Sequence, residues 1–404
     1  MDSLENIFLQ PTRRDVLRLG VACSAAGLLC GRGVAAAQDT AGAGALEGLR
    51  LPGVVRHEAR HWRSLPDRKV RCVLCPRVCE VADVERGYCG VRENVGGQYQ
   101  TLVYGALCSA NVDPIEKKPL FHYQPGTTAF SVATAGCNIE CRFCQNWQIS
   151  QFRPEQVPSV EVSPQRLVDS CKAAGSPTIA YTYSEPVIFY EYMYDTAMLA
   201  RQQGVGSVMI SNGYILEKPM RELCRALTAV KIDLKAFTES FYVEQCAGQL
   251  KPVLNTLEVL KDVGIWFELV ILIIPTLNDS ADEIRRMSEW VVKHLGPDVP
   301  MHFTRYHPTY RLTNLPRTPV STLERCRRVA LDAGVRYAYL GNVPMHKGEN
   351  TYCHKCGTEL IHRVGMQTTD NRLRDGKCPK CGTAIPGVWS QAQALSVTSR
   401  PADV

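Results

Sequence analysis

The sequence predicts an α/β protein built on a partial (β/α)6-type barrel, with a Cys-rich module before it and a zinc-ribbon-like module after it. Three observations carry this. From Ala129 onward, short β-branched runs alternate with helical stretches, the pattern of a parallel sheet joined by crossover helices. No glycine-rich dinucleotide fingerprint follows the first strand, where a cysteine loop stands instead. Eleven of the 18 cysteines fall into three clusters, 72/75/79/89, 137/141/144 and 353/356/378/381, and knuckle spacing of that kind suits metal ligation better than disulfides. Cys108, Cys171, Cys224, Cys246 and Cys326 stand alone and read as buried, inert thiols.

The strands are expected at Ala129–Ala135, Thr178–Tyr183, Ser207–Asn212, Ala229–Leu234, Trp266–Ile274, Met301–Tyr306 and Val335–Leu340. Ser163–Ala174 reads as a helix, with Ser163 as N-cap, Pro164 at the first helical position and Gly175 as the stop. A second runs over Val187–Gln203 and ends at Gly204. In such folds ligands sit at the carboxyl ends of the strands.

At 404 residues the chain holds one large domain with small appendages. Hydrophobic residues make up 45% and charged residues 21%, the balance of a globular protein with a real core. The net charge of +6 is spread along the chain, and no basic run interleaved with aromatics supports nucleic-acid binding. Residues 1–37 resemble a twin-arginine signal: Thr12-Arg13-Arg14-Asp15-Val16-Leu17-Arg18, an apolar run from Leu19 to Gly31, and Ala35-Ala36-Ala37 as a cleavage site. The alternative is an ordinary amphipathic helix. No other segment is apolar and long enough to span a bilayer, Ile265–Ile274 being too short. A linker over 38–60, the Cys-rich module over 61–125, the barrel over 126–345, the ribbon-like module over 346–392 and a tail over 393–404 complete the expected order.

The most specific motif is Gly136-Cys137-Asn138-Ile139-Glu140-Cys141-Arg142-Phe143-Cys144, a Cys-x3-Cys-x2-Cys loop with an aromatic before the last cysteine. Three thiolates from one loop can hold three irons of a cubane and leave the fourth open, whereas closed cubanes use four cysteines; a structural zinc loop with a distant fourth ligand is the alternative. The loop resembles the signature of the radical S-adenosylmethionine (SAM) superfamily, which implies a [4Fe-4S] cluster on Cys137, Cys141 and Cys144 with SAM on the open iron. Asp113-Pro114-Ile115-Glu116-Lys117-Lys118-Pro119-Leu120-Phe121-His122 resembles the pyruvate formate-lyase activating-enzyme-like branch. Cys72-Val73-Leu74-Cys75-Pro76-Arg77-Val78-Cys79, the Cys144–Gln151 run and the C-terminal ribbon resemble the radical SAM enzyme of the AmmeMemoRadiSam system. The resemblance covers roughly residues 60–390.

The resemblance implies that Phe143 and Glu185 belong to the cofactor site, Glu185 taking the amino group of SAM although the family's preceding glycines are missing. It also implies a contact from Asn212 to the ribose and carboxylate, and an adenine contact from Ile274-Pro275-Thr276-Leu277-Asn278-Asp279. A helix N-terminal carboxylate at Glu185 and a plain Asn-Gly turn at 212–213 are the alternatives. Asp233 and Lys235 alternate onto one face at the end of the fourth expected strand, Ala229–Leu234, and opposite charges at a strand end point to a polar site. His302, Thr304 and Tyr306 share a face, with Arg305 and His307 near the mouth, an arrangement suited to substrate handling. Asp233, Lys235, His302, Arg305 and His307 are therefore the catalytic candidates.

Cys353, Cys356, Cys378 and Cys381 form two Cys-x2-Cys-Gly knuckles, a zinc-ribbon pattern, with an auxiliary iron–sulfur cluster as the alternative; such a site would fasten the C-terminal segment and need not touch the chemistry. Cys72, Cys75, Cys79 and Cys89 fit zinc or a second cluster equally on spacing. The implied function is reductive cleavage of SAM to a 5′-deoxyadenosyl radical that takes hydrogen from an unidentified substrate, with electrons from a flavodoxin- or ferredoxin-like donor and Memo-like and AMMECR-like proteins as partners. An activase of a glycyl-radical enzyme and a non-catalytic iron–sulfur electron-transfer scaffold are the alternatives. The leader reads as export to the periplasm, while SAM chemistry favours the cytoplasm.

Overall fold

A sheet of eight strands laid side by side in chain order forms the spine of the computed structural model, which describes residues 51–396. The strands are β1 (Ser109–Pro114), β2 (Thr128–Ala133), β3 (Thr178–Tyr181), β4 (Gly206–Ser211), β5 (Ala229–Asp233), β6 (Trp266–Ile273), β7 (Met301–Arg305) and β8 (Ala338–Gly341). From β2 to β8 every pairing is parallel, and β1 runs antiparallel to β2. A doubly wound sheet reverses its strand order at a switch point. This one does not reverse, and β1 and β8 are not paired with each other, so the sheet is an open barrel wall.

The helices follow from local chemistry. In α1 (Pro164–Ala173), Ser163 Oγ accepts from Arg166 N at 3.3 Å, Pro164 opens the first turn, and Gly175 follows at φ 66°. A 3-10 turn at Pro186–Phe189 leads into α2 (Tyr190–Gln202). Then come α3 (Glu217–Cys224), α4 (Glu239–Cys246), α5 (Leu250–Val263), α6 (Ala281–His294) and α7 (Val320–Asp332). β3 and β4 are buried at every residue, as expected for parallel strands covered on both faces.

Two departures from the sequence expectation stand out. β1 lies in the stretch read as the Cys-rich module, yet it is the edge of the barrel sheet; its polar sequence and terminal proline suit only an edge. β8 begins at Ala338, because Arg336 N instead donates to Pro297 O at 2.9 Å ahead of β7. Before the barrel, His57–Glu58, Arg92–Val95 and Gln98–Thr101 form one three-stranded sheet, and Trp62–Ser64, Val70–Cys72 and Glu80–Val81 another. After it, Thr351–Tyr352, Glu359–Val364 and Gln367–Asn371 form a third. The twin-arginine-like segment 1–37 and residues 38–50 and 397–404 lie outside the described residues. Among those described, no helix is long and apolar enough to cross a membrane.

The segment after β1 and the C-terminal sheet are tied to the barrel through one buried carboxylate. Glu268 on β6 accepts from Phe121 N (3.0 Å), His122 N (2.8 Å), Trp266 Nε1 (3.2 Å) and His302 Nε2 (2.7 Å). Burial pushes its carboxyl up, but the donors outweigh burial and hold it below the usual range. His122 passes the tie onward, with Nδ1 on Pro386 O (2.7 Å) and Nε2 on Tyr339 Oη (2.6 Å). Arg363 of the C-terminal sheet, also buried, donates to Phe121 O at 2.8 Å.

Burial lowers His122 to about 4. The unfolded state therefore binds a proton that the folded state refuses, so stability is full above the ordinary histidine value and falls as pH drops from there toward 4. The expected loss from His122 alone is on the order of 3 kcal/mol. Thermal melts at pH 7.5, 6 and 5 check this: His122→Gln should melt lower at pH 7.5 and show a shallower acid slope than wild type.

Candidate active site at the strand carboxyl ends

The cysteine loop leaves β2 through Gly136, whose φ of 105° and close neighbours exclude a side chain: an added Cβ would meet Val91 Cγ1 at 2.7 Å and Cys89 O at 3.3 Å. The loop is held on both flanks. Asn138 Nδ2 donates to Tyr214 O at 2.7 Å on the β4 side. Glu140 N and Arg142 N donate to Cys246 O and Gln245 O at the end of α4, each at 2.8 Å. Behind the loop, Cys144 Sγ lies 3.1 Å from Ser150 Oγ in the short helix Trp147–Ser150.

Cys137, Cys141 and Cys144 face a cavity of about 730 Å³ at the carboxyl ends of the strands. Phe143, Glu185, Asn212, Asp233, Lys235, His302 and His307 line the same cavity. A site built from three thiolates of one loop, beside polar groups from four strand ends, fits a cluster with an open iron and a charged, hydrogen-bonding ligand on it.

Glu185 caps the turn that opens α2, as its alternative reading has it, and also faces the cavity. Oε1 accepts from Val187 N (3.0 Å) and Ser211 Oγ (2.6 Å), and Oε2 from Asn212 N (2.9 Å). A carboxylate has about four acceptor positions, so one is left for an incoming ammonium. Burial raises its pKa despite these donors. Asn212 is a fastening: Nδ2 donates to Asn138 Oδ1 at 2.9 Å and Oδ1 accepts from Tyr214 N at 2.8 Å. It thereby locks the cysteine loop to β4.

Asp233 sits between Lys231 and Lys235, the latter at 2.9 Å. Burial alone would raise its carboxyl, but the two lysines hold it at about 2. A carboxylate so held stays ionised. His302 reaches the cavity floor yet belongs to the core: it is 1% exposed, bonded to Glu268 and stacked on Tyr339 with ring centroids 5.0 Å apart. Arg305 is not on the cavity wall; its Nε donates to Thr318 O at 2.7 Å. Tyr306 turns away too, donating to Leu312 O at 2.6 Å. His307 lines the rim, where burial, Arg317 and Arg305 together lower its pKa.

Sequence reasoning passed over five contributors. Lys118, on the cavity wall, bonds to Asp113, which also takes Lys117 Nζ at 2.7 Å and the Tyr183 hydroxyl. Burial brings Lys118 down to about 8, which places its proton exchange near neutral pH. Tyr183 holds φ at 66°, an uncommon conformation for a non-glycine residue and a mark of functional sites. Cys246, expected to be an inert thiol, is buried, and its backbone carbonyl takes Glu140 N of the cysteine loop at 2.8 Å. Gly365 and Met366, from the turn of the C-terminal sheet, line the same cavity together with Glu349, so the C-terminal module does touch the site. The first of these was visible as a quoted motif; the others arise only where distant segments meet.

In the C-terminal module the Cys353–Cys381 and Cys356–Cys378 sulfurs are 3.6 and 3.7 Å apart, and all four lie within 4.8 Å. Cys72, Cys75, Cys79 and Cys89 surround a separate small pocket behind the cysteine loop.

Residues 131–291 match the family profile described as the radical SAM superfamily. The chain is 44% identical over 330 residues to an uncharacterized protein of Methanocaldococcus jannaschii, covering 81% of this chain and 98% of that one. It is 19% identical over 175 residues to the pyruvate formate-lyase-activating enzyme of Clostridium pasteurianum, covering 43% and 72% of the two chains. A crystal structure of a radical SAM methyltransferase from Sphaerobacter thermophilus aligns at 14% identity and a TM-score of 0.44, over 56% of this chain and 71% of that one. With its three-cysteine loop at the mouth of a parallel barrel sheet, the chain belongs to the radical SAM superfamily.

Proposed function

We propose that the protein reductively cleaves SAM and uses the resulting radical on a substrate held in the 730 Å³ cavity. The observation that carries this is the convergence of Cys137, Cys141 and Cys144 with Glu185 and Asn212 on one cavity wall. When bound, a [4Fe-4S] cluster and SAM supply one-electron cleavage of the S–C5′ bond to a 5′-deoxyadenosyl radical. The chain's own residues hold and orient. Glu185 offers its open acceptor position to the SAM ammonium and fixes Asn212 through its backbone N–H. Phe143, 3% exposed, packs at 5.8 Å from Phe241 and stiffens the loop between the last two cysteines. Lys118, ionising near neutral pH against Asp113, is the group on the wall best placed to move a proton for a substrate.

The particular branch we favour is that of the AmmeMemoRadiSam radical SAM enzyme, with Memo-like and AMMECR-like proteins as partners and a flavodoxin- or ferredoxin-like electron donor; the motifs at 72–79 and 144–151 support it. A second reading, activation of a glycyl-radical enzyme, is favoured by the similarity to the Clostridium pasteurianum enzyme. We assign zinc to Cys353, Cys356, Cys378 and Cys381. A tetrahedral site with Zn–S bonds of about 2.3 Å has S···S edges of about 3.8 Å, and the observed separations of 3.6 and 3.7 Å match.

Given SAM and a strong reductant, the anaerobically prepared protein should release 5′-deoxyadenosine, measured by chromatography. Cys141→Ala should stop release and remove the SAM-binding cluster while zinc stays; unchanged iron content in that variant would sink the assignment. Glu185→Ala should keep its iron but bind SAM about 10- to 100-fold more weakly, the worth of a charge-assisted hydrogen bond. Titrating the SAM-induced change in the cluster's EPR signal reads this, and wild-type affinity would remove Glu185 from the SAM site.

A further inference from the structure

We infer that Cys72, Cys75, Cys79 and Cys89 hold a second iron–sulfur cluster rather than zinc, set directly behind the loop of the first. The inference takes only the location of the first cluster from the reading above. Two observations carry it, and the chain supplies its own standards of comparison.

The first is spacing. Among the described residues, Cys353, Cys356, Cys378 and Cys381 are the one group of three or more Cys, His, Asp or Glu whose ligand atoms all fall within 4.8 Å. That quartet is drawn in to the size of a zinc tetrahedron. The N-terminal four surround one enclosed pocket of about 20 Å³, yet no three of them approach that closely. Cys137, Cys141 and Cys144 do not either, although they share a cavity. Cubane-ligating sulfurs stand on the order of 6 Å apart, because each binds a different iron. Neither the N-terminal quartet nor the cluster loop is drawn in to the zinc-sized spacing of the C-terminal four.

The second is a set of hydrogen-bond donors with nothing to donate to. Arg92 Nε and Tyr99 Oη are buried, have no hydrogen-bond partner among the described residues, and line this same pocket. A buried unpaired donor costs free energy, and a cubane offers bridging sulfides as acceptors, which a zinc ion does not. Arg92 is 1% exposed and paired with Glu191, so its guanidinium is fixed in place. Tyr88 N already donates to Cys79 Sγ at 3.5 Å, and hydrogen bonds to ligating sulfurs tune cluster potential.

The pocket abuts the first cluster site. Asn138, next to ligand Cys137, lines it, and Arg77 Nε of the second loop donates to Asn138 O at 3.1 Å. A second cluster there would pass one electron to the first; no bond forms or breaks, and the electron comes from a ferredoxin- or flavodoxin-type donor.

The test counts iron, acid-labile sulfide and zinc in the full chain purified without air, and in the variant Cys137→Ser/Cys141→Ser/Cys144→Ser. The variant should keep about half of the wild-type iron and sulfide, a single zinc, and an EPR signal on reduction that SAM does not alter. Cys75→Ser/Cys79→Ser should lose the other half and keep a SAM-sensitive signal. Two zincs per chain, with no iron or sulfide left in the triple variant, would overturn the inference; in wild type, two zincs beside the iron of a single cluster would overturn it even if both variants precipitated. Iron retained in the triple variant, with no SAM-sensitive signal in wild type, would instead refute the SAM-cleaving reading and leave the second cluster standing.

Discussion

The structure depends on a single buried anion. Glu268 stands on the sixth strand with no solvent to stabilise it, so its charge survives only because four donors converge on it. Two of those donors are consecutive backbone N–H groups, of Phe121 and His122, from the segment that runs between the edge strand and the barrel. A third is His302 on the neighbouring strand. Through His122 and Arg363 the same knot reaches Pro386 and the C-terminal sheet. Removing one donor leaves the carboxylate short; removing the carboxylate leaves four donors without an acceptor. The cost falls on the whole set, which is why segments more than a hundred residues apart in sequence hold one position.

That knot decides where the site's borders fall. With residues 115–122 pinned to the sixth strand, Lys117 and Lys118 are delivered to one side of the cavity, and the pinned C-terminal sheet delivers Gly365 and Met366 to another. The thiol loop is positioned separately, by Asn138, Asn212 and the end of α4. Two independent anchoring systems therefore meet across one chamber. The loop side has little play: its contacts are backbone bonds, two asparagine side-chain bonds and a glycine with no room for a side chain.

Much of this was legible in the sequence, for identifiable reasons. The parallel strands announce themselves as β-branched runs because burial on both faces demands it, and Ser163, Pro164 and Gly175 mark the bounds of α1 by local chemistry alone. The three-cysteine loop is legible because its ligands are neighbours in the chain. What escaped is what depends on remote contact. β1 is polar and ends in proline, so nothing local separates it from a loop. His302 looked like a site residue because it alternates onto a strand face, but the partner that commits it, Glu268, lies on another strand. Arg305 fails for a related reason, since its carbonyl partner Thr318 comes from the chain beyond the strand. The meeting of Lys118, Asp113 and Tyr183, and the bond from Glu140 N to the Cys246 carbonyl, are properties of the folded chain only.

The turn at Gly365–Met366 separates recognition from reactivity in the architecture. The thiol loop and Glu185 belong to the barrel, whereas this part of the chamber lining comes from a small sheet that carries its own quartet of thiols. Arg363 ties that sheet to the barrel, and the turn lies just beyond it, so the turn can change length or side chains without disturbing the tie or the thiol loop. A lineage carrying this arrangement can therefore explore new cargo by editing a short exposed ribbon while its most demanding chemistry is inherited unaltered.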